Sequence, residues 1–408
     1  MRQMKDSGIE WIGQIPEEWK VGRLKNMFIL YPYVKTNSVD SNFDVTFLPM
    51  ENIKKGFYID NERKFSDYTS SYNIFENDDI LLAKVTPCFE NGNIAIAKNL
   101  KNGIGFGTSE IFVIRSSGTN VKFIFYYLQG EHFRQRAIAT MTGAGGLKRI
   151  SPTFMKNETA VIPPLDEQQR IADYLDAQCA RIDETMELVR QSKEKLRAYK
   201  LSLITEAVTK GLDPDVAMKD SGIPWIGEIP AGWKIVKLKF FTSIKSGDAI
   251  RADELSETAQ YEVFGGNGKI GNCVSYNCDG PSFIIGRVGA QCGNIHKTHN
   301  KIFVSDNALI LKIFENKFDF IFFSLISANL GRLSTSNAQP LITATKISNT
   351  YIPVPPLPEQ QRIAAYLDAK CARIDALLAE KDELLDKLAE YKKSLIFECV
   401  TGKREVAA

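Results

Sequence analysis

The chain of 408 residues contains the same two segments twice, and this duplication constrains its fold more than any other feature. The segment 163–183 reads PPLDEQQRIADYLDAQCARID, and 355–375 reads PPLPEQQRIAAYLDAKCARID, with 18 of 21 positions identical. A second pair of segments starts at Met4 and Met218, where 15 of 22 positions are identical. The chain is therefore a tandem of two units, each ordered as an opening motif, a long insert and a helix motif. Two similar halves predict pseudo-twofold symmetry, which suits a ligand with two ends.

The two inserts differ from each other, unlike the motifs that flank them. The opening motifs start 214 residues apart (218 − 4) and the helix motifs 192 residues apart (355 − 163). The first insert is therefore 22 residues longer than the second (214 − 192), and the two inserts, roughly 20–160 and 234–350, share no comparable identity. We call the opening motif and the helix motif of each unit its frame. Two related frames are predicted to carry two different binding surfaces, one in each insert.

Charge is distributed unevenly along a chain whose formal net charge is only +2. The first insert holds 18 Lys and Arg against 13 Asp and Glu, the second holds 13 against 9, and the repeated frame carries an acidic excess. Cationic surfaces attract phosphate backbones and make binding salt-dependent. Surplus cations can also serve solubility alone, so the charge by itself leaves nucleic-acid binding open.

Composition predicts an ordinary globular protein. The content of 44% hydrophobic and 25% charged residues is typical of such domains, and no apolar run reaches the ~18 residues that a membrane helix needs. The N-terminal segment lacks the apolar core of a signal peptide. Seven scattered cysteines do not form a disulfide framework. We therefore expect a cytoplasmic protein of two to four domains with no membrane partner.

Each helix motif predicts a long helix that pairs with another helix. Prolines precede it and acidic residues occupy its first turn, both of which favour a helix start. Apolar residues then recur in alternating steps of three and four, which predicts a coiled-coil seam. The predicted seam is Ile182, Thr185, Val189, Ser192, Leu196, Tyr199 and Leu203 in the first copy, and Ile374, Leu377, Lys381, Leu384, Leu388, Tyr391 and Leu395 in the second.

Two helices of about 40 residues, each about 60 Å long, would most simply pair with each other. The near-twofold relation between the halves makes such a pair antiparallel, with one insert at each end. Two separate helical hairpins, or a coil between chains, would use the same pattern.

The inserts have the sequence character of mixed α+β globules, with glycine-rich turns between short apolar runs. The predicted elements are strands at 79–85, 111–115, 282–287 and 308–312 and helices at 121–128 and 318–330.

Motifs for catalysis are scarce. Residues 266–271 match G-x-G-x-x-G, but an extended run rather than a helix follows, so we predict a turn that lets the backbone approach a ligand. Five cysteines and histidines of the second insert are close enough to suggest zinc, although their spacing fits no usual finger. They are Cys273, Cys278, Cys292, His296 and His299. We predict no metal site, and a zinc-dependent enzyme remains an alternative.

The duplicated PPLxEQQRIAxYLDxxCARID and GIxWIGxIPxxW motifs closely resemble the specificity subunit of Type I restriction-modification systems. The first insert resembles a target recognition domain of this family in TPCFENGNIAIAKNLKNGIGFGTSEIFVIR, and the second does so in YEVFGGNGKIGN, IIGRVGAQCGNI and SDNALILK. The implied fold is α+β, with two mixed α/β target recognition domains separated by two long helices that form an antiparallel coiled coil. The implied segments are target recognition domain 1 over 1–160 (opening motif 4–25), conserved helix 1 over 161–212, target recognition domain 2 over 213–350 (opening motif 218–239) and conserved helix 2 over 351–408.

The resemblance also implies a function and partners. In this family each target recognition domain reads one half of a split site in double-stranded DNA, and the paired helices set the gap between the halves. Two methyltransferase subunits and the restriction/translocase subunits are the implied partners. S-adenosylmethionine, ATP and magnesium are expected on those partners, with no cofactor in this non-catalytic chain. A methylation-only or fused system, or a scaffold that binds partner helices but no DNA, remains open.

Polar residues on predicted turns are the candidates for DNA contact, because base edges are read by hydrogen bonds while phosphate contacts fix the register. In the first insert these are Lys84, Thr86, Asn91, Asn93, Thr108, Ser109, Lys148 and Arg149. In the second insert they are Lys245, Ser246, Asn267, Lys269, Arg287, Gln291, Asn294, Asn307 and Lys346. Each of them could instead be a solvated surface residue or a turn former. Glu110 could accept from a cytosine amine or pair with a neighbouring cation.

Overall fold

A computed structural model describes residues 2–36, 39–289, 291–314, 318–335 and 340–406. The chain divides into two compact units. The first unit comprises Met1–Leu188 and Glu383–Ala408, and the second comprises Val189–Asp382. Each unit contains one insert and a part of both long helices.

Two of the helices are much longer than the others. The helices are α1 (Val121–Gln129), α2 (Glu131–Ala139), α3 (Pro152–Asn157), α4 (Leu165–Lys210), α5 (Phe318–Ser327), α6 (Ala344–Ser348) and α7 (Leu357–Val400). Helices α4 and α7 contain 46 and 44 residues, slightly more than the sequence predicts. None of the helices in the described ranges has both the length and the hydropathy that a membrane crossing requires.

The first unit is built on two four-stranded sheets. Its strands are β1 (Met4–Asp6), β2 (Gln14–Pro16), β3 (Lys20–Arg23), β4 (Phe28–Leu30), β5 (Asp44–Leu48), β6 (Asn61–Lys64), β7 (Asn73–Glu76), β8 (Ile80–Ala83), β9 (Ile94–Ile96), β10 (Ile104–Gly107), β11 (Ile111–Ser116) and β12 (Thr159–Ile162). The sheet orders are β6-β5-β10-β7 and β4-β11-β8-β9. Residues such as Leu82, Phe112 and Phe123 join the second sheet and α1 in one buried core.

The second unit repeats one of these sheets. Its strands are β13 (Met218–Asp220), β14 (Glu228–Pro230), β15 (Lys234–Lys237), β16 (Thr242–Ser246), β17 (Tyr261–Gly265), β18 (Gly268–Cys273), β19 (Ser282–Gly286), β20 (Ile295–Thr298), β21 (Phe303–Val304), β22 (Ala308–Ile313) and β23 (Tyr351–Val354). The order β16-β22-β19-β20 matches β4-β11-β8-β9 strand for strand, and a three-stranded sheet β18-β17-β21 accompanies it. Each insert therefore contains a sheet with the same strand order, although the two inserts have no comparable sequence identity.

Each insert leaves and re-enters its frame through one antiparallel ribbon. In the first unit β3 pairs with β12, so that Arg23 faces Thr159. In the second unit β15 pairs with β23, so that Lys237 faces Tyr351. The two ends of each insert are thereby held side by side, and the chain between them can change without moving the ends.

A buried tryptophan ties each opening motif to the start of a long helix. The Trp19 indole donates from Nε1 to Glu167 Oε2 at 2.9 Å, and Trp233 donates to Glu359 Oε2 at 3.0 Å. The two indoles are buried, at 0% and 2% exposure. These residues occupy equivalent positions of the two sequence repeats, so both frames are closed by the same bond.

A glycine beyond the end of a long helix packs against each indole. Gly211 follows α4 at φ +80°, and a Cβ on it would lie 3.2 Å from the Trp233 ring. Gly402 follows α7 at φ +73°, and a Cβ there would lie 3.3 Å from the Trp19 ring. Glycine suits both the left-handed helix end and the close approach of the ring.

Within the second unit, α4 and α7 run antiparallel. Lys193 is ion-paired with Asp382, and Lys200 Nζ lies 2.6 Å from Asp375 Oδ2. Seven residues forward on α4 thus correspond to seven residues back on α7. The predicted antiparallel pairing is confirmed for this unit.

The first unit contains the equivalent ion pair. Lys392 Nζ lies 2.7 Å from Asp183 Oδ2, and these two residues are the repeat counterparts of Lys200 and Asp375. The helix pairing in the two units is therefore symmetric at this position.

The predicted seam is wrong at every second position. Thr185, Tyr199, Leu377, Leu384 and Tyr391 are exposed, and Ser192 is less buried than its neighbour. The residues that take their places are Met186, Lys193, Lys200, Leu378, Leu385 and Lys392. The spacing of apolar residues predicts the wrong seam positions for two reasons. Leucines in adjacent positions at 377–378 and 384–385 fit either spacing, and lysines bury their methylenes in the seam while the ammonium reaches an aspartate.

The corrected seam predicts different effects for two leucines of one helix. Leu388 packs against the core of the first unit, whereas Leu384 is 41% exposed. We expect Leu388→Ser to lower the free energy of unfolding by about 2 kcal/mol, because it removes buried apolar surface. The matched Leu384→Ser change should stay within about 0.5 kcal/mol of wild type. Urea unfolding midpoints of the two variants measure this, and equal losses would favour the original seam.

Candidate nucleic-acid interface

The first insert gathers six of its eight candidate residues at one edge of a sheet. Strand β8 ends at Ala83 and the adjacent antiparallel strand β11 begins at Ile111, with these two residues facing each other. The residues just beyond them, Lys84 and Glu110, therefore meet, and the Lys84 amide donates to the Glu110 carbonyl at 3.1 Å. We call the residues at this edge the first polar cluster: Lys84, Thr86, Thr108, Ser109, Glu110, Lys148 and Arg149.

A glycine-rich loop, 142–149, supplies the remaining side of the first polar cluster. Thr142 and Arg149 close the loop by pairing with each other across it. Thr86 is buried, and its hydroxyl donates to the Gly146 carbonyl at 2.6 Å and accepts from the Lys148 amide at 2.9 Å. The Thr86 hydroxyl thus holds the loop in place. Lys148 and Arg149, at the end of this loop, are exposed to solvent.

Glu110 balances the positive charge of the first polar cluster. Arg149 Nη2 and Nε lie 3.0 and 3.1 Å from the two Glu110 carboxylate oxygens. This pairing holds the pKa of Glu110 below its usual value. Burial lowers the pKa of the half-buried Lys84 ammonium, and the Glu110 carboxylate opposes that effect. Of the two roles that the sequence allows for Glu110, the structure shows the pairing with a neighbouring cation.

Within the ranges that the structure describes, the other candidate side chains of the first insert are not held by hydrogen bonds to neighbouring groups as Thr86 and Arg149 are. Thr108 Oγ1 is buried without a hydrogen-bond partner among the described residues, and Ser109 is exposed. Asn91 and Asn93 lie apart, on the turn between β8 and β9 that backbone bonds to Pro87 and Cys88 close.

Tyr31, which is not among the residues predicted from the sequence, is a neighbour of the first polar cluster. Its backbone is in the left-handed region at φ +55°. Burial, and then the charge of Glu110, raise the pKa of Tyr31 to about 12. Nothing in the local sequence YPYV signals this position, because the proximity comes from β4 pairing with β11.

The second insert forms a cluster at the corresponding sheet edge. Strand β19 ends at Gly286 and faces Ala308, the first residue of β22. The next residue, Arg287, donates its amide to the Asn307 carbonyl at 3.1 Å and its Nη1 to Ser246 Oγ at 3.1 Å. Arg287 Nε is buried without a partner in the described part of the chain.

Three amide side chains extend this cluster. Asn294 Nδ2 donates to Gln291 Oε1 at 2.6 Å and approaches Asn267 Oδ1 at 3.3 Å. Glycine allows the end of β19 to lie close to the turn after β17, because a Cβ on Gly286 would lie only 2.2 Å from the Gly266 carbonyl oxygen. The predicted turn at 266–271 is confirmed only for 266–267, which join β17 to β18, and it is wrong for 268–271, which pair with β17 as part of strand β18. We call the whole group the second polar cluster: Ser246, Asn267, Arg287, Gln291, Asn294 and Asn307.

The lysine candidates of the second insert lie outside the second polar cluster. Each bonds elsewhere within the insert: Lys245 Nζ to the Asn277 carbonyl at 3.4 Å, Lys269 Nζ to Glu262 Oε1 at 2.8 Å, and Lys346 Nζ to the Leu333 carbonyl at 2.8 Å.

The cysteines and histidines that suggested zinc serve other purposes in this insert. Cys273 and Cys278 are buried thiols, and the Cys292 thiol donates to the Arg287 carbonyl at 3.2 Å. His296 packs against Gly268, and burial lowers the pKa of its imidazole. Across the ranges that the structure describes, no three His, Cys, Asp or Glu residues are arranged to hold a metal ion.

Comparison with known protein families identifies this architecture. The family model of the Type I restriction modification DNA specificity domain matches residues 16–198 and 230–386. The chain belongs to this family. The two matches lie one in each half of the chain, as the duplicated motifs require.

Relatives of the specificity-domain family agree with this assignment. The EcoAI specificity subunit of Escherichia coli is 36% identical over 163 residues, which cover 39% of this chain and 27% of that protein. The chain thus matches about a quarter of the length of that relative. The putative MjaX specificity subunit of Methanocaldococcus jannaschii is 25% identical over 433 residues, covering 97% of this chain and 96% of that protein. The identification as a specificity subunit is confirmed.

Solved structures of the family share the fold. A chain from a study of complex assembly and conformational transition of the type I R-M system superimposes with a TM-score of 0.75, at 18% identity, over 96% of this chain and 99% of that one. The HsdS subunit from Thermoanaerobacter tengcongensis gives a TM-score of 0.53, at 18% identity, over 96% and 98%. The α+β architecture with two specificity domains and long helices is confirmed.

The pairing of Glu110 with Arg149 predicts how the first polar cluster responds to a charge change. We expect Glu110→Gln to strengthen binding to random-sequence duplex severalfold and to steepen the dependence of log K on log salt by about 1, because it frees one cation for a phosphate. Glu90→Gln makes the same charge change on an exposed turn of the same insert and should alter the slope less. Equal slopes for both variants would show that Glu110 does not restrain Arg149.

Proposed function

We propose that this specificity subunit recognises double-stranded DNA in two parts, one part for each insert, and that it takes no catalytic part in the Type I restriction-modification system. The observation that carries the proposal is the placement of two unlike polar clusters at corresponding sheet edges. The first presents lysine and arginine around Glu110, and the second presents one arginine with amides. Equivalent positions with different side chains suit two different half-sites.

The chemistry of the second polar cluster fits base recognition. Arginine pairs bidentately with guanine, and asparagine or glutamine pairs with adenine. Arg287 and the amide of Asn294 are held by neighbours in the same cluster, which restricts their conformations before DNA binds. The first polar cluster adds exposed Lys148 and Arg149, which suit phosphate contacts that fix the register.

Partner subunits would dock on the paired helices. The corrected seam leaves large apolar side chains uncovered on both helices: Leu188, Tyr199, Leu201, Leu377, Leu384 and Tyr391, each between 41% and 59% exposed. Uncovered apolar surface of this kind marks protein interfaces. The duplicated frame would bind two methyltransferase subunits, and restriction/translocase subunits would join them. S-adenosylmethionine, ATP and magnesium would reside on those partners, in the cytoplasm.

Selection from a random pool of DNA duplexes by the assembled complex tests the proposal. We expect the retained duplexes to share two short fixed blocks separated by a gap of constant length and free sequence. Arg287→Gln should relax the preference within one block by about 1–3 kcal/mol per affected base and leave the other block unchanged. A pool with no fixed block would make the chain a scaffold without sequence recognition.

Two ion pairs between the helices, Lys193–Asp382 and Lys200–Asp375, make it possible to shorten both helices by a defined length. Removing 193–199 from α4 and 376–382 from α7 deletes seven residues from each helix and brings the Lys200–Asp375 pair into the place of the Lys193–Asp382 pair. Seven residues span about 10 Å of helix, so we expect the gap to shorten by about three base pairs while both half-sites stay the same. A control that keeps the length, Lys193→Met with Asp382→Leu, should keep the gap. An unchanged gap after the deletion would refute the role of the helices as a spacer.

A further inference from the structure

The two copies of the frame differ at one repeated pair of side chains. In the first unit, Arg404 donates from Nε to Glu398 Oε2 at 2.9 Å and from Nη1 to the Tyr174 hydroxyl at 3.4 Å. The repeat counterparts of these acceptors in the second unit are Glu206 and Tyr366, each 192 positions away in sequence. The same glutamate and tyrosine are therefore present twice, and the first copy binds a guanidinium.

In the second copy, Lys370 Nζ lies over the face of the Tyr366 ring, 5.7 Å from its centroid, and the described residues supply no cation to the polar ends of Glu206 and Tyr366. Among the described residues, no hydrogen bond or ion pair engages the carboxylate of Glu206 or the hydroxyl of Tyr366. Instead, Glu206 and Tyr366 line an open cleft of about 600 Å³. Leu203, which also lines the cleft, is half-buried, whereas its counterpart Leu395 in the occupied copy is only 1% exposed.

The charge around the cleft favours a cation. Besides Glu206, the cleft is lined by Asp213 and Glu228, with Lys210 as the one basic lining residue. The counterpart of Glu228 in the first unit is the neutral Gln14. The copy that lacks an arginine thus has one additional carboxylate, Glu228, whereas Asp213 has an acidic counterpart, Glu405, 192 positions further along the chain.

A second glutamate of the frame shows the same difference. Glu167 in the first unit receives Arg2 Nη2 at 2.6 Å as well as the indole of Trp19. Its counterpart Glu359 has the indole bond, but no lysine or arginine within the described ranges pairs with it. The first frame binds two arginines of its own chain, Arg2 and Arg404, and in the described part of the chain no arginine bonds to the counterpart glutamates of the second frame.

We propose that the cleft beside Glu206 and Tyr366 binds an arginine side chain presented by a partner polypeptide, as the first frame binds Arg404. The occupant of the first frame indicates a peptide rather than a free ion, because Arg404 belongs to a segment whose Val406 also packs against the core. A cleft of this size accommodates a side chain with its neighbouring backbone. The inference is independent of DNA recognition.

The peptide that occupies the first frame serves as the probe. A fluorescent peptide with the sequence of positions 403–408, KREVAA, is titrated into the full-length chain and followed by fluorescence anisotropy. It omits 401–402, because Gly211 of the chain already lies against Trp233 where Gly402 lies against Trp19. We expect saturable binding of one peptide per chain. The dissociation constant should rise at least tenfold with Glu206→Gln and severalfold with Tyr366→Phe. A peptide with neutral citrulline in place of arginine should also bind at least tenfold more weakly.

Two controls make the result decisive. Glu380→Gln makes the same charge change at an exposed position of α7 outside the cleft and should leave the affinity unchanged, and Glu206→Gln should unfold at the wild-type midpoint. Equal affinity of the arginine and citrulline peptides, or no saturable binding up to millimolar peptide, would overturn the proposal. Displacement of the peptide by equimolar spermidine would assign the cleft to a polyamine and would overturn it as well.

Discussion

The hydrogen bond from a buried indole to a glutamate in the first turn of a long helix fixes the frame on which both inserts depend. Trp19 makes this bond to Glu167, and Trp233 makes it to Glu359. A buried N–H without its acceptor costs about 1–3 kcal/mol, so the bond holds the opening motif against the helix. The antiparallel ribbon that follows each tryptophan then closes the insert at both ends. An insert can therefore diverge in sequence while its attachment stays the same.

The lysines in the helix seam have a different task. The aspartates that pair with Lys200 and Lys392 are more than half exposed, and exposed ion pairs contribute only about 0–1 kcal/mol. Stability in this region comes instead from buried apolar residues such as Ile182 and Ile374. The ion pairs specify which residue of one helix faces which residue of the other, because a shift by one position would separate the charges. The ion pairs thus set the alignment of the two helices, and the buried apolar residues provide the stability of the helix pair.

The sequence predicts the repeated parts well and the interface only in part. Identical motifs give the duplication and the long antiparallel helices, and short apolar runs within the inserts give the strands at Ile80–Ala83 and Ala308–Ile313. The seam is predicted wrongly because a lysine stem and a leucine fill the same space in a helix pair. Turn position identifies Arg149 and Arg287 as candidates, but the pairing of Arg149 with Glu110 and the proximity of Tyr31 arise from strands distant in sequence. Which side chains converge at a sheet edge is a property of the strand register, and spacing along the chain does not contain it.

In the proposed function, the repeated frame holds two inserts, each of which recognises one half of the DNA site independently of the other. The most direct measurement replaces residues 20–160 with the corresponding insert of another member of the family and maps methylated positions across the genome of the host. We expect one block of the recognised site to change, while the other block and the gap stay the same. A change in both blocks, or the loss of the unaltered block, would contradict it, because the inserts would then not act as separate readers on a common frame.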